Sequence, residues 1–439
     1  MFEEMIQRRQ LLQSMAAMGL TLSLPSMTPA QAQRRRDERP KSLITLWMNG
    51  GMSQLETFDP HFQKKLSASD QVRSIDTNVP GLQISHFMPQ MAEQMDKVTL
   101  IRSMKSPEGD HARGAVFVKT GYRPDPTLNY PSLGAILASQ LPDDAVEIPQ
   151  HVALGTDQFF PRGGYLGNKW DAFRVFDPGR SLTNLKSGVT ENRQQLRKQG
   201  LDKLAERFRQ GRPTADRATL HQNTVERALR MMSSEQLKAF ELDEEPAQVR
   251  ASYGDSRFGR GCLIARRLVE VGVRAVEVSL NGFDTHVNNL SGQQTQADQL
   301  DPAMSTLLQD LHDRDLLDST IVLCITEFGR TPTVNAAGGR DHWPHWFSAV
   351  VAGGGFRSGL VVGETPAELP ERAKDQKPAE AYAPAEPIFV PQLYATILHA
   401  MGLEWDEEMV SPIGRPIRLT DQGPLPQLLN KKLAASVRA

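Results

Sequence analysis

Apolar residues along the chain gather in short unbroken runs, separated by longer stretches with helical spacing. Ser42-Leu43-Ile44-Thr45-Leu46-Trp47-Met48 is the first run and stops at Asn49-Gly50-Gly51. A run this apolar, bounded by a turn, predicts a strand covered on both faces. Val98 to Arg102 and Val152 to Leu154 predict two more. Ala275-Val276-Glu277-Val278-Ser279-Leu280, Thr320 to Ile325 and Phe347 to Ala352 complete the set, the last followed by Gly353-Gly354-Gly355. Between them, helical patterns cover 112–119, 132–141, 258–271, 293–316 and 392–401. Gly121 and Gly272 stand where the first and third of these should stop. Alternating apolar strands and helices predict an α/β fold with a mostly parallel sheet sandwiched by helices.

Some segments break the alternation. Residues 157–190 are rich in Gly, Pro and aromatics and read as a long surface loop, and 366–388 as a second one, rich in Pro, Ala and Glu. Glu191 to Gln210 and Thr214 to Phe240 are polar, basic and short of apolar residues. They predict a helical hairpin inserted at the surface, over about 191–245, acting as a solvated cover rather than a nucleic-acid arm. The main domain then spans 41–425.

The first residues carry a different pattern. Arg8-Arg9 precede a modestly apolar stretch from Leu11 to Leu24, then Pro25, Pro29 and the small-x-small triplet Ala30-Gln31-Ala32. Charged start, short apolar run and cleavage triplet in that order predict a signal peptide over 1–32, read by the twin-arginine export machinery. The alternative is an ordinary amphipathic helix. The expected location is periplasmic or secreted. The stretch is too short and too polar for a spanning helix, and no later segment qualifies, so no stable membrane span is expected. Fifty basic against 52 acidic side chains, net −2, provide no global field for nucleic acid. Cys262 and Cys324 are too few for a disulfide framework and read as two buried thiols, with one bridge open as the alternative.

Ligands of open α/β sheets bind beyond the carboxyl ends of the strands. After the first strand come Asn49, Gly50, Gly51, Ser53, Glu56, Thr57 and Asp59. After Leu280 comes Asn281-Gly282-Phe283-Asp284-Thr285-His286. After Ile325 comes Thr326-Glu327-Phe328-Gly329-Arg330-Thr331-Pro332, continuing to Gly339-Arg340-Asp341-His342-Trp343-Pro344-His345. Three of the ten histidines fall in these segments, and His111 follows the Val98 strand closely. Carboxylates one or two residues from imidazoles suit zinc, manganese or iron, and oxygen-rich sets also suit calcium or magnesium. Each segment has a plainer reading: Asp284 as a turn cap, Asp341-His342 as a bonded loop pair. Together they make Asp284, His286, Glu327, Asp341 and His342 the candidate ligands of a divalent metal ion.

Three of the same segments carry a family resemblance. Leu46-Trp47-Met48-Asn49-Gly50-Gly51-Met52-Ser53 with Thr57-Phe58-Asp59-Pro60 is the first, and Gly282-Phe283-Asp284-Thr285-His286 the second. Thr326 to Pro332 with Gly339 to Pro344 is the third. The chain resembles the exported domain-of-unknown-function family 1501, within the alkaline phosphatase and sulfatase-like superfamily. His111-Ala112-Arg113 leading to Lys119-Thr120-Gly121 resembles the nucleophile helix of sulfatases, and Val390 to Leu403 with Gly414-Arg415-Pro416 resembles their late helix and turn. The resemblance implies a metal-dependent hydrolase of phosphate or sulfate esters. The chain departs from the superfamily where an oxygen or sulfur nucleophile would stand, with Asn49 in place of a metal-binding Asp and Glu327-Phe328 in place of Asp-His.

With no side-chain nucleophile, water would attack a small anionic ester directly. His111 would serve as general base and Arg330 would hold the anion. The plainer readings are a helix-start hydrogen bond for His111 and a salt bridge for Arg330. A non-catalytic binding protein that retains the fold is the alternative function.

Overall fold

The computed structural model describes residues 41–61, 72–182, 185, 188–210, 220–366, 371 and 376–437. The expected signal peptide lies outside the described residues. Nine strands form one sheet: β1 (Ser42–Asn49), β2 (Val98–Lys105), β3 (His151–Leu154), β4 (Phe173–Val175), β5 (Ala275–Asn281), β6 (Thr320–Ile325), β7 (Phe347–Gly353), β8 (Leu360–Val362) and β9 (Ile388–Phe389). Their order is β8-β2-β7-β6-β1-β5-β3-β4, with β9 also on β2. β1 pairs in parallel with β5 and β6, and β3 in parallel with β4 and β5. β7 runs antiparallel to both its neighbours. The cause is local: the β6–β7 connection holds no helix to carry the chain back across the sheet, so β7 starts at the edge where β6 stops.

β1 shows how the apolar runs are used. Ile44, Leu46 and Met48 enter one buried cluster with Cys262, Leu263, Leu300 and Met304. Leu43 and Trp47 enter the other, with Phe117, Leu133 and Ile397. Successive strand residues point to opposite faces, so an unbroken apolar run marks a sheet covered on both sides. The first cluster is capped by α5 (Arg257–Glu270) and α6 (Asn289–Asp313), the second by α1 (His111–Thr120), α2 (Leu133–Gln140) and α7 (Val390–Met401). Cys262 and Cys324 are both buried free thiols in the first cluster.

Several expectations shift. The stretch read as one long loop over 157–190 contains β4, which extends the sheet beyond β3. β4 is only three residues long, with no apolar run to announce it. α3 (Glu191–Gln210) lies where the first hairpin helix was expected, but the second ends earlier: α4 is Leu220–Met232, and a 3-10 segment, Glu235–Phe240, buries Ala239 and Phe240. β9 closes the second expected loop, which also holds a short helix, Pro378–Ala381. No helix among the described residues is long and apolar enough to cross a membrane.

Candidate metal centre

The carboxyl ends of β1, β5 and β6 converge with the start of α1. Gly50 makes this approach possible. Its φ is +111°, and a Cβ there would meet the Asp284 nitrogen at 2.6 Å. Gly339 does the same for the β6–β7 connection, where a Cβ would overlap the His286 carbonyl. That connection folds back as a two-residue ribbon, pairing His342 with Arg330 and Trp343 with Gly329. His111 opens α1, whose N-cap Asp110 accepts from the Arg113 amide at 3.0 Å.

Three imidazoles meet one carboxylate. Asp284 Oδ1 lies 3.2 Å from His111 Nε2, 3.2 Å from His286 Nε2 and 3.6 Å from His342 Nε2. His286 Nε2 and His342 Nε2 are 3.0 Å apart. Ligand atoms of His111, Asp284 and His342 all lie within 4.8 Å of one another, a spacing that can hold a metal ion. The other ring nitrogens are all held from behind. His111 Nδ1 is 2.7 Å from Glu327 Oε1, His286 Nδ1 is 3.0 Å from Asp341 Oδ1, and His342 Nδ1 is 2.7 Å from the Gly109 carbonyl. An oxygen that can only accept places a proton on each Nδ1, and in the neutral imidazole that leaves Nε2 free to offer its lone pair to a cation. His111 Nε2 is buried and has no aligned hydrogen-bond partner. A lone pair kept without a donor is what a metal ligand needs, so these residues fit a cation. Phe328 packs against His111 and His342, with ring centroids 5.0 and 4.6 Å apart, and sets the ring planes.

The electrostatics follow. Burial alone would raise the Asp284 pKa, but the Arg330 guanidinium 2.6 Å away, with His111 and His286, holds it below the usual carboxylate range. Burial lowers Arg330 too, from a starting value so high that the pair stays ionised. Burial opposes charge on His111, yet Glu327 and Asp284 outweigh it and raise its pKa. Burial lowers His342, and its positive neighbours lower it further against the pull of the Gly109 carbonyl.

The expected ligands therefore divide. Asp284, His286 and His342 face the centre together with His111, which was expected as a base. Glu327 and Asp341 stand behind imidazoles instead. Glu327 is fully buried and also accepts from the Gly50 amide at 2.9 Å and the Thr326 hydroxyl at 3.0 Å. Arg330 was expected to hold a substrate anion, but its guanidinium is fully buried and donates to the Gly50, Gly51 and Arg340 carbonyls as well as Asp284. It braces the carboxylate and has no N–H left facing solvent. Glu56 pairs with Arg340 at 2.9 Å, and Asp59 with Arg102 at 3.1 Å, away from the centre. His345 packs on Trp343 and Tyr382 instead. The Gly109 carbonyl had no signal in the sequence, because any residue type supplies it.

Residues 40–429 match the family profile described as a protein of unknown function, DUF1501. The chain belongs to that family. A search of curated proteins finds no significant match for this DUF1501 chain. Among solved structures it is similar to the PsFucS1 sulfatase from Pseudoalteromonas sp., at 11% identity over 85% of this chain and 70% of that one, TM-score 0.38. It is similar to the lipoteichoic acid synthase LtaP from Listeria monocytogenes, at 9% identity over 90% and 78%, TM-score 0.39. A magnesium-bound mutant of TAB5 alkaline phosphatase gives 12% identity over 84% and 99%, TM-score 0.38. Similarity this loose says nothing of the reaction.

Proposed function

We propose that the protein is a metal-dependent hydrolase that adds water across the P–O or S–O bond of a phosphate or sulfate ester, releasing the alcohol and the inorganic anion. The observation that carries this reading is the convergence of three Nε2 atoms on Asp284 Oδ1, each imidazole held through its Nδ1. Nε2 of His111, His286 and His342 with Oδ1 of Asp284 would hold the cation; nitrogen-rich ligation favours zinc, manganese or iron over calcium or magnesium. Bound there, a divalent cation lowers the pKa of water and polarises the ester. The chain's own groups prepare the site. Arg330 keeps Asp284 ionised and immobile. Glu327, Asp341 and Gly109 hold the imidazoles in one tautomer. Asp284 and His286, each nearly half exposed, form the side open to substrate.

Metal analysis of the protein purified from its native compartment tests this, alongside H286A and H342A and a panel of aryl phosphates and sulfates. Metal in the wild type, lost in both variants, with turnover of one ester class is expected. A metal-free wild type would sink the reading. Thr326 gives a reason to keep the non-catalytic alternative: its hydroxyl, at the end of β6, is bonded to the Met48 carbonyl, the Met52 amide and Glu327, and serves no nucleophilic role. Bound metal without turnover of any ester would select that alternative.

Export by the twin-arginine route belongs to the same proposal. That route carries folded proteins, which suits a centre existing only once the sheet has formed. Replacing Arg8 and Arg9 by Lys should leave the unprocessed chain in the cytoplasm on fractionation; unchanged export would refute the route.

A further inference from the structure

Beside the metal centre, the carboxyl ends of β1, β5, β3 and β4 enclose an open pocket of about 350 Å³. Asn49, Thr156, Asp157, Gln158, Arg174 and Asn281 line it. It adjoins the centre through the chain itself, since Asn49 precedes Gly50 and Asn281 lies three residues before Asp284. Asn49 and Asn281 face each other across β1 and β5, with Asn49 Nδ2 donating to Asn281 Oδ1 at 2.8 Å. Asn281 also donates to Thr156 at 2.5 and 3.0 Å. The floor is thus made of amides and a hydroxyl, groups that both donate and accept.

Arg174 lines the pocket on the β4 side and is held by stacking. The Arg174 guanidinium lies 4.0 Å from the Phe160 ring centroid and 4.5 Å from that of Phe176. Arg162 covers Phe160 as well, at 4.5 Å. The four side chains form a ladder of two guanidinium groups and two rings, with Phe176 54% exposed. Neither arginine has a carboxylate partner among the described residues; Arg174 makes one long contact, 3.4 Å to the Asp157 carbonyl. The Asp157 carboxylate is itself taken by Lys119 at 2.6 Å. Ring stacking holds the planar groups without using their N–H donors. Arg174, a lining cation with donors to spare over a floor of amides, is a place for an anion.

We infer that this pocket is a substrate subsite, and that the ester cleaved at the centre has a hydroxyl-bearing skeleton with a second anionic group, held by Arg174. The inference rests on the hydrolase reading of the metal centre and names its substrate class. Four adjacent strands at about 4.8 Å spacing put β4 ~14 Å across from β1. That span suits a skeleton of two sugar-sized rings, with the reacting ester at one end and the second anion at the other.

The test compares binding of two probes by calorimetry at physiological salt: lactose with one sulfate, and lactose with a sulfate on each ring. The wild type should bind the doubly sulfated probe about tenfold more tightly, the scale of one charge-assisted contact. R174Q should lose that preference, and R174K should restore part of it. R418Q, which removes a charge paired with Glu408 elsewhere on the surface, should keep it. Melting temperature and metal content report whether R174Q is folded with its centre intact. Equal binding of both probes by the wild type would overturn the inference. So would a preference that survives in R174Q, or one lost equally in R418Q. The preference without turnover of any ester would leave the subsite standing and remove the hydrolase reading; turnover without the preference would do the reverse.

Discussion

At the scale of single residues, the candidate metal centre depends on groups that do not touch its middle. Glu327 has no exposed surface, and its Oε1 serves both His111 and the Gly50 amide. E327Q keeps the volume but turns a charged acceptor into a neutral one. Metal affinity should fall about 10–100-fold, with ligand residues unchanged. Competition against a chromophoric chelator reads this directly, and an unaltered affinity would mean Glu327 does not orient His111. His151 offers a test of burial away from the centre. Its Nδ1 meets the Trp170 carbonyl at 2.8 Å, and burial pushes its pKa down to about 4. The unfolded chain therefore binds this proton first. Stability from His151 is complete above pH ~6.5 and drains as pH falls toward 4. Urea unfolding should show the margin of wild type over H151Q shrinking by roughly 2 kcal/mol from pH 7 to pH 5, at about 1.4 kcal/mol per pK unit. A constant margin would place a charged histidine in the fold.

At the scale of elements, each strand end contributes one part of the centre and none is sufficient alone. β5 leads to Asp284 and His286, β6 to Glu327 and Arg330, the returning ribbon to His342, and α1 to His111. α1 is aimed by its cap, because Asp110 fixes the first turn and His111 is the first helical residue. D110A should cost about 1 kcal/mol of stability. It should also weaken metal binding, since the imidazole loses the turn that positions it; equilibrium unfolding and metal titration check the two effects separately. The antiparallel course of β7 belongs here too. The helix-free connection keeps residues 326–346 at one edge, which is why His342 can reach an imidazole on the β5 loop.

For the whole molecule, the centre joins residues from 111 to 342, so folding brings it together and its occupation should stabilise the fold. Chelation should lower the melting temperature, and adding back the native metal should restore it. With H342A, both steps should have little effect. A wild type whose melting ignores chelator and metal alike would contradict a site built on this scaffold.

The pattern of apolar runs determined the α/β class, the central strands and both covered faces, because a strand buried on two sides has little choice of composition. It also pointed to the edge of the sheet where Asp284, His286 and His342 come together, through the carboxylates and imidazoles that follow β5 and β6. Three-residue β4 and the two-residue β9 were beyond its reach, since elements that short are decided by the strand they pair with. Roles were also beyond its reach. Glu327 and Asp341 carry the same chemistry as Asp284, and His111 the same as His286; only packing decides which oxygen faces the middle and which stands behind a ring. Arg330 and Arg174 are alike as letters, and the fold buries one under a carboxylate and stacks the other between two phenyl rings. Side-chain identity sets what a group can do, while its neighbours, distant in the chain, set which of its atoms remain free to do it.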